Sequence, residues 1–180
     1  MEEIARNEEL MRNQCSDIVC GHQDLLRGNV LRNTDGDILI IDFEYACLLP
    51  APLDICHHYC EWMTRYDSES YWLDWSLHPT EEEENRFIQS YLEHRCMFLK
   101  MLCYVMSSVV NRSVEKVEVN SMRNLVHRFQ CFSFFFWFVW AVMQTQWGAD
   151  WDSENYALSR WTLYQKLKKE HYGVDPLPIL

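Results

Sequence analysis

The chain has 180 residues, a length that fits one domain with a real core or one part of a larger enzyme. Hydrophobic residues make up 48% and charged residues 24%, ordinary globular values that argue against collagen-like, coiled-coil and wholly disordered classes. With 16 Lys plus Arg against 27 Asp plus Glu, the net charge is -11 and no basic run could follow a phosphate backbone, so we expect no nucleic-acid partner.

The first fifty residues predict a weak amphipathic helix over about 1–13 and then short strands. Ser16–Cys20 is an apolar run, and two further apolar runs flank a turn at Asp35-Gly36. An Asp-Gly turn between apolar runs is typical of a β-hairpin. Because hairpin strands are antiparallel, their outer ends meet, and Asn29 and Asp42 should lie close together.

Beyond residue 50 the chain is predicted to be almost entirely helical. Leu53–Trp62 forms a helix with proline near its start. Thr80 followed by four glutamates begins a second helix with a capping box. Further helical patterns run from about 114 to 147 and from 153 to about 171. The expected fold class is mainly α with one small hairpin.

Compartment and membrane association follow from local composition. The eight cysteines have no regular spacing and the first six residues are acidic, unlike a secretory signal, so a reducing, cytoplasmic compartment is predicted. Residues 129–143 are the most apolar stretch, but they fall short of the ~20 residues that a membrane span needs. We expect a buried core helix there and not an integral membrane protein.

The pattern His22-x-Asp24-x4-Asn29, followed by Asp42-Phe43-Glu44, predicts phosphotransfer chemistry. Phosphoryl transfer from ATP needs a carboxylate near the attacking hydroxyl and oxygen ligands from separate segments for Mg²⁺. Asp24 is the candidate for the first role; Asn29 and Asp42 are the candidates for the second. H-x-D-x4-N alone is a weak signal, since Asp and Asn are common in turns, but its position before a hairpin strengthens it.

These residues resemble motifs of the choline/ethanolamine kinase family, a branch of the protein-kinase-like fold. The catalytic-loop motif is similar to Cys20–Asn29, with an inserted Gly and with Gln where Asn is usual. The motif I-D-F-E-Y stands unaltered at Ile41–Tyr45, and D-I-G-N-H-F-C-E-W is similar to Asp54–Trp62. E-V-N at 118–120 and W-x2-W at 137–140 continue the resemblance in the same order.

The resemblance implies a kinase C-terminal lobe over residues 1–180, with the catalytic loop, hairpin and DFEY motif at 17–45 and a helical substrate-binding part at 50–180. It implies ATP- and Mg-dependent phosphorylation of choline, or ethanolamine, as the first step of phosphatidylcholine or phosphatidylethanolamine synthesis. Asp24 would be the catalytic base and Asn29 and Asp42 would hold Mg²⁺. A homodimer is also compatible with the resemblance.

The resemblance further implies a pocket for a cationic amino alcohol. A quaternary ammonium has no N–H donors, so aromatic faces and a nearby carboxylate must hold it. The residues that the resemblance assigns to this pocket are Trp137, Trp140, Tyr156, Tyr45, Tyr66 and Glu61. Without it, an aromatic-rich helix would be interpreted as core. Two Trp, several Tyr and a single carboxylate favour choline over ethanolamine.

Part of a kinase is missing from the sequence. A kinase of this fold needs a strand lysine for the ATP phosphates, yet no lysine precedes Lys100. We therefore expect the nucleotide lobe to be absent and the chain alone to be inactive, either as a fragment or as a truncated product.

Other functions stay open at this point. A kinase of another hydroxylated substrate, such as an aminoglycoside, would share the H-x-D-x4-N pattern. A non-catalytic helical interaction protein would keep the core and bind no nucleotide. Zinc is disfavoured at Cys56, His57, His58 and Cys60, because these four point to different faces of one predicted helix.

Overall fold

The computed structural model describes residues 1–65, 73–102 and 114–176. Within these ranges the chain is mainly helical, as predicted, with four short strands. In chain order the elements are α1 (Glu2–Gln14), β1 (Ile18–Gly21), β2 (Val30–Arg32), β3 (Ile38–Ile40), β4 (Cys47–Pro50), α2 (Ala51–Met63), α3 (Glu81–Leu102), α4 (Lys116–Gln146) and α5 (Ser153–Tyr172). Short 3-10 helices lie at Arg27–Asn29 and Trp75–Leu77.

The predicted hairpin is confirmed. Strands β2 and β3 are antiparallel, with Val30 opposite Ile40, and Gly36 has a φ of 92° in the turn that joins them. A positive φ costs glycine little, which explains the Asp-Gly sequence at this turn.

A second antiparallel pair, β1 with β4, was not predicted. Ile18 lies opposite Pro50 and Gly21 opposite Cys47. The run Cys47–Pro50 is short and ends in proline, which lacks an N–H donor and is tolerated only at a strand edge or end. This pair joins the two ends of the segment 22–46, and therefore fixes the base of the loop and hairpin that carry the candidate catalytic residues.

The helix boundaries follow local sequence signals. Pro52 lies in the first turn of α2. In the predicted capping box of α3, Thr80 Oγ1 accepts from the Glu83 N–H at 3.3 Å, and Glu83 Oε2 accepts from the Thr80 N–H at 2.8 Å. Helix α5 ends at Gly173, which has a φ of 64°.

The chain divides into two compact units, residues 1–78 with 126–180, and residues 79–125. The core of the first unit includes Ile55 and Tyr59 of α2 and Phe129 and Phe134 of α4, all exposed by 2% or less. In the second unit Arg123 forms an ion pair with Glu81. All the candidate site residues that the structure describes belong to the first unit.

Helix α4 coincides with the predicted helical pattern over 114–147 and extends beyond the apolar stretch 129–143. It has 31 residues, and its length and composition would allow it to cross a membrane. Half of its most apolar window is buried inside the structure. The core helices of soluble proteins have the same properties, so this is weak support for a membrane span.

Helix α1 is fixed to α5 by a buried polar cluster. The Lys168 ammonium is fully buried and donates to Asn7 Oδ1 at 2.8 Å, to Tyr164 Oη at 2.7 Å and to the Glu3 carboxylate. Such a cation is tolerated in a core only because it is paired and hydrogen-bonded.

Candidate active site

Asp24 and Asn29 are joined directly. The Asn29 amide nitrogen donates to the Asp24 carbonyl at 2.9 Å and to Asp24 Oδ2 at 3.2 Å. Asn29 is buried in the 3-10 turn that precedes β2, whereas Asp24 is half-buried. Because the side-chain nitrogen of Asn29 faces Asp24, the side-chain oxygen Oδ1 of Asn29 is directed away from Asp24 and can serve as a ligand.

Asp42 lies beside this pair because the hairpin closes as predicted. The Ile41 N–H donates to the Asn29 carbonyl at 3.0 Å. Asp42 itself has a φ of 64°, a left-handed conformation that is uncommon for residues other than glycine. The predicted convergence of Asp24, Asn29 and Asp42 is thus present, and their catalytic roles remain predictions.

His22 connects the two motifs. Its Nδ1 accepts from the Asp24 N–H at 3.3 Å, which places the ring proton on Nε2, and Nε2 donates to the Ile41 carbonyl at 2.9 Å. The ring also packs on Phe43, with 4.8 Å between ring centroids. The histidine therefore holds the catalytic loop against the segment that carries Asp42.

The two departures from the family's catalytic-loop motif have structural roles here. A Cβ on Gly21 would lie 2.5 Å from a Leu49 side-chain atom and 2.6 Å from Asp54, so any larger residue would have to displace these side chains, including the Asp54 carboxylate that Gln23 binds. Gln23, with a φ of 65°, donates from its side chain to the Tyr45 carbonyl at 2.6 Å and from its backbone to Asp54 Oδ1 at 3.0 Å.

Burial raises the pKa of Asp24 above the ordinary aspartate value. His22 and the hydrogen bond from Asn29 act in the opposite direction, and the negative charges of Asp42 and Glu44 raise the pKa further. A carboxylate with a raised pKa is a stronger proton acceptor, which suits a general base.

A cavity of about 270 Å³ adjoins Asp24. It is lined by five aromatic rings, three carboxylates and one leucine: Tyr45, Trp137, Trp140, Trp151, Tyr156, Asp24, Glu44, Glu61 and Leu26. We call the five rings the aromatic cage. The centroids of Trp137 and Trp140 are 5.5 Å apart with planes at 81°, and Trp151 stacks on Trp140 at 5.8 Å.

Hydrogen bonds and a cation–π contact fix the positions of the cage rings. Trp140 Nε1 donates to Tyr45 Oη at 2.9 Å, and Trp137 Nε1 donates to His57 Nδ1 at 3.1 Å. The fully buried Arg160 guanidinium lies 4.0 Å from the centroid of the Tyr156 ring. Both indole N–H groups are therefore used within the protein, and neither is available to a ligand in the cavity.

Most of the predicted pocket residues meet in this cavity. Those brought together are Asp24, Tyr45, Glu61, Trp137, Trp140 and Tyr156. Asn29 and Asp42 lie beside Asp24 but do not line the cavity, and Tyr66 lies outside the described residues.

Sequence reasoning missed Trp151 and Glu44. Trp151 lies between two helices whose other aromatics were assigned, and Glu44 belongs to the Asp-Phe-Glu motif itself. The expectation of a single carboxylate is therefore wrong, because Asp24 and Glu44 join Glu61 at the cavity wall. This removes the main physical argument for choline over ethanolamine.

The cysteines and histidines of α2 have other partners. His58 Nδ1 donates to the Leu25 carbonyl at 2.8 Å, and its Nε2 accepts from Trp62 Nε1 at 3.1 Å. Cys56 Sγ lies 3.1 Å from the Leu53 carbonyl. In the part of the chain that the structure describes, no three His, Cys, Asp or Glu side chains are grouped to hold a metal.

Similar proteins point to one family. A sequence profile described as choline/ethanolamine kinase matches residues 1–165. The chain is 34% identical to a probable ethanolamine kinase of Nematostella vectensis, over 96% of this chain and 46% of that protein. It is 31% identical to ethanolamine kinase 1 of Mus musculus (94% and 43%) and 30% identical to probable choline kinase 1 of Arabidopsis thaliana (90% and 43%).

A solved structure agrees with the sequence comparisons. An ethanolamine kinase of Plasmodium vivax matches with a TM-score of 0.68 and 28% identity, over 91% of this chain and 38% of that chain. The chain spans less than half the length of each of these relatives.

Proposed function

Since the chain belongs to the choline/ethanolamine kinase family, we propose that it forms the amino-alcohol site of a kinase that phosphorylates the hydroxyl of choline or ethanolamine. The observation that carries this proposal is the position of Asp24 in the wall of the cavity that also holds the aromatic cage and Glu61. A small molecule with a cation at one end and a hydroxyl at the other matches these two features.

In the proposed reaction the Asp24 carboxylate accepts the hydroxyl proton as the oxygen attacks the terminal phosphorus of ATP. A bond forms between that oxygen and phosphorus, the bond from phosphorus to the bridging oxygen breaks, and ADP leaves. The hydrogen bond from Asn29 to Asp24 Oδ2 orients the carboxylate. The products are phosphocholine or phosphoethanolamine, which serve phospholipid synthesis.

The residues present fit Mg²⁺. This ion usually takes one or two protein carboxylates and completes its shell with phosphate oxygens and water, so a cluster of three acids is not required. Two groups would hold the ion: the side-chain oxygen Oδ1 of Asn29, which is directed away from Asp24, and the Asp42 carboxylate. When bound, the ion neutralises charge on the phosphates.

We propose both choline and ethanolamine as substrates. Each aromatic face contributes about 0.5–2 kcal/mol to binding a cation, which favours trimethylammonium. Three carboxylates offer acceptors for the N–H donors of a primary ammonium, which favours ethanolamine. Direct competition between the two compounds for one phosphorylation reaction measures the balance.

The cavity also bears on the aminoglycoside alternative. Its volume of about 270 Å³ lies below the ~300–1,000 Å³ typical of pockets for drug-sized ligands. A small amino alcohol therefore fits better than an oligosaccharide. A substrate panel that included an aminoglycoside would show turnover of choline or ethanolamine only.

We further propose a cytoplasmic enzyme that is not membrane-embedded, with a homodimer as its candidate assembly.

The test is Asp24→Asn in the kinase that carries this chain. Removing a general base should lower kcat by about 10²–10⁴-fold and leave the dissociation constant of the amino alcohol nearly unchanged. Asp35→Asn is the matched control, because Asp35 lies in the exposed hairpin turn. Unchanged turnover in the Asp24 variant would rule out its role as the base.

A further inference from the structure

We propose that His57 is a positioning residue that fixes the orientation of Trp137 in the aromatic cage by accepting its indole N–H. This inference rests on the proposed function, because the cage is what Trp137 serves. It concerns a residue outside the cavity wall, at a position where the family motif quoted above has asparagine.

The geometry defines the hydrogen bond and its direction. His57 is 1% exposed in α2, and Trp137 is 6% exposed in α4. Trp137 Nε1 lies 3.1 Å from His57 Nδ1. An indole nitrogen can only donate, so Nδ1 must be the unprotonated nitrogen and the ring proton must lie on Nε2.

The bond belongs to a longer polar chain between two helices. Ser133 Oγ lies 2.8 Å from His57 Nδ1 and 3.5 Å from Cys60 Sγ. His57 and Cys60 belong to α2, which also carries Glu61 of the cavity wall one residue after Cys60. Ser133 and Trp137 are one turn apart on α4. These hydrogen bonds therefore connect α2, which carries Glu61, to α4, which carries Trp137.

The hydrogen bond from Trp137 to His57 forms only while the imidazole is neutral. Burial lowers the pKa of His57 to about 3 and raises the pKa of Cys60 to about 12. A protonated imidazole would direct an N–H at the Trp137 N–H and abolish the bond. The neutral form leaves Nε2 buried with no acceptor among the described residues, so this tautomer is kept although its own N–H is unsatisfied.

Ring packing adds to the restraint. The imidazole meets Trp137 edge to face, with centroids 5.9 Å apart and planes at 86°. It also meets Phe136 at 5.4 Å and 72°. His57 therefore restrains Trp137 through ring packing as well as through the indole N–H.

The first experiment needs neither a variant nor a ligand. Nitrogen-15 NMR of the labelled 180-residue chain should identify His57 Nδ1 as unprotonated and Nε2 as protonated at neutral pH. A protonated Nδ1 would overturn the proposal, because such a ring cannot accept from Trp137.

The second experiment follows the Trp137 indole resonance. His57→Phe keeps a buried ring but removes the acceptor, and the indole proton should move upfield and exchange faster with solvent. His57→Gln restores an acceptor and should recover part of the shift. Ile55→Val, a buried change elsewhere in α2, controls for lower stability and should leave the resonance in place. An unmoved resonance in His57→Phe would contradict the inference.

Calorimetric titration of the same variants with choline tests whether the orientation of Trp137 affects the affinity for choline. Loss of one ordered ring should weaken choline roughly 2- to 30-fold in His57→Phe, and less in His57→Gln. In the complete kinase the KM for choline should rise with kcat nearly constant. An equal loss in Ile55→Val would refute the positioning role. If the unmodified chain binds neither amino alcohol, the proposed function fails, whereas the two NMR results still decide the hydrogen bond.

Discussion

Removing a cage tryptophan should weaken choline binding more than ethanolamine binding. Trp137 and Trp140 both line the cavity, and their N–H groups are engaged by His57 and Tyr45, so neither indole can donate a hydrogen bond to a ligand. Each face contributes about 0.5–2 kcal/mol to a bound cation, which corresponds to a roughly 2- to 30-fold loss of affinity for choline on substitution by alanine. Ethanolamine keeps its hydrogen bonds to carboxylate oxygens and should lose less.

The measurement is calorimetric titration of Trp137→Ala and Trp140→Ala with both compounds, together with KM values in the complete kinase. Since Trp137 is buried, its removal also lowers stability, but the ratio of choline to ethanolamine affinity within one variant cancels any change in folded fraction. Trp147→Ala is the matched control, because Trp147 follows the same helix and is 69% exposed. Equal losses for the two compounds would refute the cation–π assignment.

Three further outcomes are expected. Asp42→Ala should abolish Mg-dependent turnover, and full activity across a magnesium titration would contradict its role as a ligand. His57 has a pKa of about 3 in the folded chain against ~6.5 unfolded, so its contribution to stability is complete above pH 6.5 and is lost as the pH falls toward 3. From pH 8 to pH 5 this residue alone should lower the free energy of unfolding by roughly 2 kcal/mol, and the fall measured by chemical denaturation should be smaller by that amount in His57→Gln. Lys168→Met should cost about 3–5 kcal/mol, because it removes the buried cation that neutralises the Glu3 carboxylate. Lys169→Met, which breaks an exposed ion pair, should cost at most about 1 kcal/mol, and similar thermal shifts for the two variants would show that the buried cluster does not stabilise the fold.

The sequence predicted those features that short-range rules determine. The turn at Gly36 and the capping box at Thr80 each appear where the local residues require them. The approach of Asn29 to Asp42 follows from hairpin geometry alone. These features need only a few neighbouring residues and no knowledge of tertiary packing.

Features that depend on packing between distant segments were not predictable in this way. The pairing of β1 with β4 joins runs that are about thirty residues apart, and the proline at the end of β4 weakened its strand signal. Trp151 enters the cavity because the loop between α4 and α5 returns to Trp140. Helical periodicity describes each helix separately and says nothing about the direction of that loop.

The direction in which a substrate would bind follows from the available partners. The indole N–H groups of Trp137 and Trp140 are already used, so those walls attract a cation and give nothing to an anion or a neutral acceptor. Asn29 orients the Asp24 carboxylate, and burial raises its pKa above the ordinary aspartate value. In the proposed function, a cationic end held by the rings and Glu61 would leave the hydroxyl to Asp24, which is the orientation that phosphoryl transfer to an amino alcohol requires.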